Sequence, residues 1–386
     1  MSTAIHLAFK EIWRNRARFT LFSLVVALIT VLVLYISALG TGLLGGFREY
    51  LQRLNADLIV YQDTARREVA SSRVGCTTRA AIRRVEGVRE VGPIGFSSVS
   101  VVADDGTELL DISLIGVEPG KPGELPVTAG SGLMRNSAYE AIIDRNVARV
   151  IALQPGDRLT ISSIQGNDKE FYTLQVVGVS DSLRYSLNPS VFVPIVTWDE
   201  IRPKAVAIPG ADEPACNVVA VQLEDPTQLE AMQQLLQARV SDVEAVDLRT
   251  AYESLPGYSS IRSSLNTQRT FALLIGMLVI GGFFQIQTLQ KVPQIGTLKA
   301  IGTPNTVVAL AAIVQIVTVT LLGIAIGSVA SWGLSLMLPP NVPILFELRS
   351  GAIAVASIVL MGLIGGLVSI RQSLRVEPLI ALGLGS

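Results

Sequence analysis

Few residues in this chain could do acid–base, redox or ligand chemistry, and their placement excludes more activities than it suggests. A single histidine, His6, stands near the N-terminus. One imidazole there cannot assemble a histidine metal site or serve as the base of a nucleophilic triad farther along the chain. The only cysteines, Cys76 and Cys216, fall in one long segment. An oxidising compartment would permit a disulfide between them, and spacing leaves both a bridge and two separate thiols open. Gly40, Gly42 and Gly45 spell G-x-G-x-x-G. They end an apolar helix with no preceding strand and no acidic residue at the expected distance, so they are not a dinucleotide site. No G-x-x-x-x-G-K-[ST] occurs. The energy for any work therefore comes from a partner, an ion gradient or nothing.

The most informative polar stretch is QKVPQIGTLKAIGTPNTVV at 290–308. Ile295, Leu298 and Ile301 form an apolar stripe at helical spacing, Gln294 and Lys299 face elsewhere, and Gly302-Thr-Pro-Asn ends the helix. A short amphipathic helix of this kind docks into a groove on another protein or rests on lipid headgroups.

The elements around that stretch are membrane spans. The chain has 386 residues, 49% hydrophobic and 16% charged, against about 25% charged in soluble domains. Its net charge of −1 provides no global field for nucleic acid. Runs free of charge at 19–46, 271–290, 307–338 and 351–370 are long enough to cross the hydrocarbon. The first reads as a retained helix, not a cleaved signal. The third is too long for one perpendicular crossing and must tilt, kink near Gly323 or Gly327, or protrude. With no buried ionisable residue in the spans to relay ions or protons, an ion-coupled carrier is disfavoured. Gly42/Gly46, Gly323/Gly327 and Gly362/Gly366 are small-xxx-small pairs able to bring helices close.

Flanking charge sets the orientation. Lys10, Arg14, Arg16 and Arg18 precede the first span, Lys291 and Lys299 follow the second, and Arg371 and Arg375 follow the fourth. The positive-inside rule therefore predicts cytosolic termini and a cytosolic loop at 291–306, a tail at 371–386, an external loop at 339–350 and an external segment at 47–270. Within 1–18, Ile5, Phe9, Ile12 and Trp13 share one helical face opposite Lys10, Glu11 and Arg14, the pattern of a helix lying in the inner leaflet.

In the external segment, strand–helix–strand recurs at its two ends. ADLIVY at 56–61, a helix at 77–86 and VREVGPIGF form one set; NVVAVQL at 217–223, a helix at 227–239 and VEAVDL form the other. The prediction is an α+β domain, a split βαβ sandwich, interrupted by a β-rich insertion at 121–212 in which AIIDRNVARVIAL is a short helix.

These features together resemble a known family. IGTLKAIGT in the loop, the four-span layout with one large domain after the first span, the opening LAFKEIWRNRARFTLFSL and the closing RQSLRVEPLIALG resemble the MacB/FtsX superfamily of ABC-transporter permeases over nearly the whole chain. LQKVPQIGTLKAIG, ESLPGY at 253–258 and YSLNPSVFVPIVTW at 185–198 are most similar to its HrtB and DevC branch. The resemblance implies a plasma-membrane permease that is not itself an enzyme, acting as a homodimer with two copies of an ABC ATPase that binds ATP and Mg. It also implies that Ile295, Gly296, Thr297, Leu298, Lys299, Ala300, Ile301 and Gly302 are the coupling helix. The substrate would be a hydrophobic or amphipathic molecule taken from membrane lipid, haem first. Phe47, Tyr50, Tyr185, Glu253 and Tyr258 would be the nearest equivalents of an external aromatic-and-acid surface that meets it. After ProGlyTyr the chain runs SSIRSSLNTQR, without the carboxylate expected of a haem-binding relative. Glycolipid export, as in DevC types, and an FtsX-like relay to an external protein are the alternatives.

Overall fold

The computed structural model describes residues 10, 13–103, 106–181, 184–185, 187–204, 215–338 and 344–374. The expectations for most of the 1–18 helix, for part of the 339–350 loop and for the tail beyond Leu374 lie outside the described residues. The chain divides into a helical unit, 1–43 with 262–386, and a sheet unit, 44–261.

Among the described residues, four helices are long and apolar enough to cross a membrane. They are α1 (Arg16–Gln52), α7 (Tyr258–Gln290), α9 (Asn305–Met337) and α10 (Leu348–Leu374), the intervening numbers belonging to shorter helices. The first two extend past the apolar runs, so each carries residues of both units. The third is continuous through Gly323 and Gly327, and at about 1.5 Å per residue it is long enough to tilt or protrude.

The core of the helical unit is built from Val26, Val33, Ile280, Ile316, Val319 and Ile358. Its buried polar side chains are hydroxyls and amides, including Thr30, Gln287, Gln315, Thr320, Ser331 and Ser369. Thr30 donates to the Val26 carbonyl and Ser331 to the Gly327 carbonyl one turn back, a pairing that satisfies a hydroxyl where no water is available. Two of the glycine pairs, Gly323/Gly327 and Gly362/Gly366, serve contacts between helices of the chain. A Cβ at Gly323 would lie 2.5 Å from Val26, and one at Gly327 would lie 2.6 Å from Thr30. Gly365 and Gly281 bring two helices to backbone contact.

Among the described residues, the sheet unit holds an eleven-stranded sheet with the path β13-β1-β12-β3-β4-β10-β6-β8-β5, in which β5 is Val127–Gly130, β7 bridges β3 and β8, and β9 (Arg184–Tyr185) pairs with β10. Its first part joins β1 (Leu58–Gln62), β3 (Val88–Val102), β12 (Val218–Leu223) and β13 (Val243–Asp247) in antiparallel register. Helices α2 (Cys76–Arg83) and α5 (Leu229–Arg239) cover one face through Ile82, Met232 and Leu236. The two strand–helix–strand sets are therefore neighbours in a single layer. The second part adds β4 (Glu108–Val117), β6 (Glu140–Asp144), β7 (Arg158–Gln165), β8 (Asp168–Ser180) and β10 (Asn188–Pro194). Strands β3 and β4 run long enough to belong to both parts.

AIIDRNVARVIAL divides where a helix was expected throughout. Ala141, Ile142 and Ile143 are a buried strand between β10 and β8, and the helix α3 (Arg145–Ile151) begins only after Asp144. The Asp144 carboxylate accepts the Asn146 N–H at 2.6 Å and caps it. β-Branched residues held on both sides of a sheet outweigh their weak helical spacing.

The indole of Trp198, on α4 (Ile195–Ile201), lies flat over the cross-strand pair Gly95 and Gly116. Its Nε1 donates to Ser97 Oγ at 3.0 Å.

Candidate functional site

The loop helix α8 (Val292–Ala300) begins with Pro293 in its first turn, where a missing N–H costs nothing. It ends through Gly302, whose φ of +94° suits glycine, with the Gly302 N–H donating to the Lys299 carbonyl and the Thr303 N–H to the Leu298 carbonyl. The apolar stripe read from the sequence does not stay on one exposed face. Ile295 and Gly296 are buried and Leu298 is half-buried against the helical unit, while Ile301 is 78% exposed. Residues three apart step back by about 60° around a helix, so a 295–298–301 stripe drifts by about 120° and its last member leaves the bundle. Lys299 Nζ donates to the Leu374 carbonyl at 2.8 Å and ties the helix to the end of α10. Thr297, Ala300, Ile301 and Gly302 remain at the surface.

In the sheet unit, four of the five predicted substrate-facing residues come together, inside the domain. Phe47 and Tyr258 meet edge to face at 5.9 Å, and Tyr50 and Tyr185 meet at 6.2 Å. All four rings are at most 7% exposed. Tyr50 donates its hydroxyl to the Gly123 carbonyl at 3.1 Å. Burial pushes the Tyr185 hydroxyl well above the ordinary tyrosine range. Glu253, at the end of α6 (Leu248–Glu253), pairs with Arg249 at 3.2 Å. An aromatic surface was expected; these rings instead pack the end of α1 and the start of α7 into the core of the sheet unit.

Phe96 and Phe192 complete the ring cluster and were not singled out in the sequence. Phe96 stacks on Tyr185 at 4.2 Å, and Phe192 lies 5.5 Å from Tyr50. The alternation in β3 and the apolar run of β10 were the signals that could have found them.

Cys76 and Cys216 are thiols, one exposed and one buried. Both line a cavity of about 220 Å3 that also contains the Arg79–Glu118 ion pair, closed at 2.8 Å. Among the described residues, no group of three or more His, Cys, Asp or Glu is placed to hold a metal ion.

Comparison with known proteins covers both units. The model of the MacB-like periplasmic core domain matches residues 19–239, and that of the FtsX-like permease C-terminal domain matches residues 270–378. A protein of Staphylococcus haemolyticus named as the hemin transport system permease HrtB is 23% identical over 386 residues, covering 98% of this chain and 99% of that protein. An uncharacterized ABC transporter permease of Mycobacterium tuberculosis is 22% identical, covering 96% of this chain and 97% of that protein. The crystal structure of the periplasmic region of MacB from Actinobacillus actinomycetemcomitans is 14% identical and covers 53% of this chain and 95% of that one, with a TM-score of 0.37.

Proposed function

This chain belongs to the MacB/FtsX superfamily of ABC-transporter permeases, and from that premise we propose that a separate ATPase drives it to move a hydrophobic or amphipathic molecule out of the membrane. The observation that carries the reading is the loop helix. α8 is fixed to the bundle by Ile295, Leu298 and the Lys299–Leu374 bond, while Ile301 is left at the surface. A short helix anchored on one side and apolar on the other can pass a push from a docked partner into the helices that carry it.

In this reading both termini and α8 are cytosolic, two copies of the chain pair with two ATPase subunits, and ATP and Mg are bound by the partner. The coupling segment is Ile295 to Gly302. Closure of the ATPase subunits displaces α8, and α1 and α7, which carry residues of both units, transmit the displacement toward the external side. Haem is the leading substrate, supported by what the Staphylococcus relative is named for. Substrate contact by Phe47, Tyr50, Tyr185 and Tyr258 requires their buried cluster to open during turnover; Glu253 is half-buried and reachable without it.

ATP hydrolysis by the permease with its ATPase in nanodiscs, with and without haem, tests the substrate. Haem-stimulated turnover with an absorbance shift supports haem. ATP turnover indifferent to haem leaves the permease in place and turns the search to lipids, glycolipids or an external protein partner. Ile301→Asp tests the docking: a carboxylate forced into an apolar groove costs about 2 kcal/mol or more, so ATP-dependent transport should fall roughly tenfold or more. Unchanged coupling in that variant overturns the assignment of α8.

A further inference from the structure

The end of the helical unit that carries the loop helix holds a cavity of about 540 Å3. Its size is that of a small-molecule site and exceeds what a lone inorganic anion needs. Three cations line it: Lys10, Arg14 and Lys291. Among the described residues that line it there is no Asp or Glu. One wall is apolar, through Phe284, Leu298 and Ala311. The other presents the side chains of Gln287 and Gln315, only 7% and 6% exposed. Their amide oxygens lie 3.4 and 3.5 Å from Lys291 Nζ, which also stands 5.7 Å from the Phe19 ring centroid. Burying amides in a bundle surrounded by lipid is costly, and these two hold the ammonium at the cavity wall.

We propose that this cavity binds the headgroup of an anionic phospholipid, with its phosphate on Lys10, Arg14 and Lys291 and its glycerol region against the two amides. Ammonium and guanidinium groups lining one cavity suit a phosphate ester. The apolar wall suits the start of an acyl chain and gives a free phosphate nothing. The position also fits: the apolar stretch of α7 ends at Gln290 and the cations begin at once, which places the site at headgroup depth. Basic pockets between spanning helices at that depth take anionic lipid headgroups. Trp13, 78% exposed beside Arg14, has the character of an interfacial anchor. Because Gln294, Ile295 and Leu298 of the loop helix line the same cavity, a bound headgroup would touch the segment proposed to meet the ATPase. The lipid assignment itself is independent of what the permease moves.

Native mass spectrometry of the full chain, delipidated and returned to an equimolar mixture of phosphatidylglycerol and phosphatidylcholine, tests it. The expected result is one retained phosphatidylglycerol per chain in preference to phosphatidylcholine. Removing two of the three cations with Arg14→Gln and Lys291→Gln should weaken that retention roughly tenfold or more. The exposed position of Arg14 makes Arg14→Gln alone safe for folding, and it should give part of the loss. Equal retention of the two lipids overturns the proposal, as does retention unchanged in a variant that keeps native helicity. Displacement of the lipid by millimolar inorganic phosphate as effectively as by competing phosphatidylglycerol identifies an anion site and overturns the lipid assignment.

Discussion

Glycines permit close approach in both units, but what they admit differs. Between β3 and β4 of the sheet unit, Gly95 and Gly116 make room for a side chain, the indole of Trp198. Between α7 and α10 of the helical unit, Gly281 and Gly365 make room for backbone: a Cβ on either would lie 2.8 or 2.7 Å from a carbonyl oxygen of the other helix. In water, enclosing a large apolar ring is itself the gain. In lipid, moving an apolar side chain from one hydrocarbon surface to another gains little, and helices associate through close van der Waals packing that small residues allow. Charge follows the same division. The ion pairs Arg53–Asp181, Arg79–Glu118 and Arg249–Glu253 lie in the sheet unit, while the buried polar side chains of the helical unit are hydroxyls and amides.

The strongest attempt to break that comparison is Trp198→Ala. The ring is 2% exposed and its Nε1 is hydrogen-bonded, so its removal leaves a cavity over two glycines and should cost about 3–5 kcal/mol. Hydrogen exchange should show β3, β4 and β10 losing protection while α9 and α10 keep theirs. Equal loss in both units would mean that the sheet unit does not hold itself together by its own burial.

A smaller effect is expected from Gly365→Val, which sharpens the comparison from the lipid side. The added Cβ and methyls meet backbone at 2.7 Å, which no rotamer change relieves, and overpacking of this kind costs about 1–3 kcal/mol. The matched control is Gly333→Ala in α9, where a Cβ meets nothing within 4 Å. It should be neutral, or stabilising by about 1 kcal/mol at most. Thermal denaturation of the two variants in the same detergent reads the difference. A Gly365→Val protein as stable as Gly333→Ala would show that the two helices are not in backbone contact.

Much of this was legible in the sequence because the period of the pattern is strong. Unbroken apolar runs marked all four long helices, and the paired strand–helix–strand sets marked the first part of the sheet. Where two periods compete, the sequence misled. In 141–153 the apolar spacing is compatible with a helix, and only the neighbouring strands β10 and β8 decide that Ile142 and Ile143 lie in the sheet. In α8 the stripe was correctly read as apolar, but which of its members faces the bundle depends on packing against helices distant in sequence, to whose end Lys299 is tied through Leu374, 75 positions on. Lys10, Arg14 and Lys291 were read for orientation, and the first two also as the polar face of an interfacial helix; that all three line one cavity depends on how the helices are packed. The aromatic residues were legible as a set, while their burial was not, because ring type says nothing about which side of a strand or helix end is covered.

The smallest expected effect lies within the sheet unit and asks whether its interior is as dry as the comparison requires. Strand β2 (Val74–Gly75) pairs with β11 (Ala215–Cys216), which puts Cys216 opposite Val74 and leaves Cys76 just beyond the ladder. Cys216 is 6% exposed, its Sγ lies 3.4 Å from the Val74 carbonyl, and burial pushes its thiol up to about 12. An unfolded cysteine titrates near 8.5. The folded state therefore holds its proton more tightly, so the contribution of this group to stability is complete below about 8.5 and declines as pH rises toward about 12. Between those values the unfolded chain binds fewer protons than the folded one, which is the condition for stability to fall with pH. At pH 7.5 a maleimide should modify the exposed Cys76 and spare Cys216, and Cys76→Ser should abolish labelling of the folded protein. At pH 9.5 Cys216 should still react only as fast as the domain opens. Labelling of Cys216 at a rate comparable to that of Cys76 would mean that water reaches the β2–β11 edge, and the contrast between a dry sheet interior and a lipid-facing bundle would have to be redrawn there.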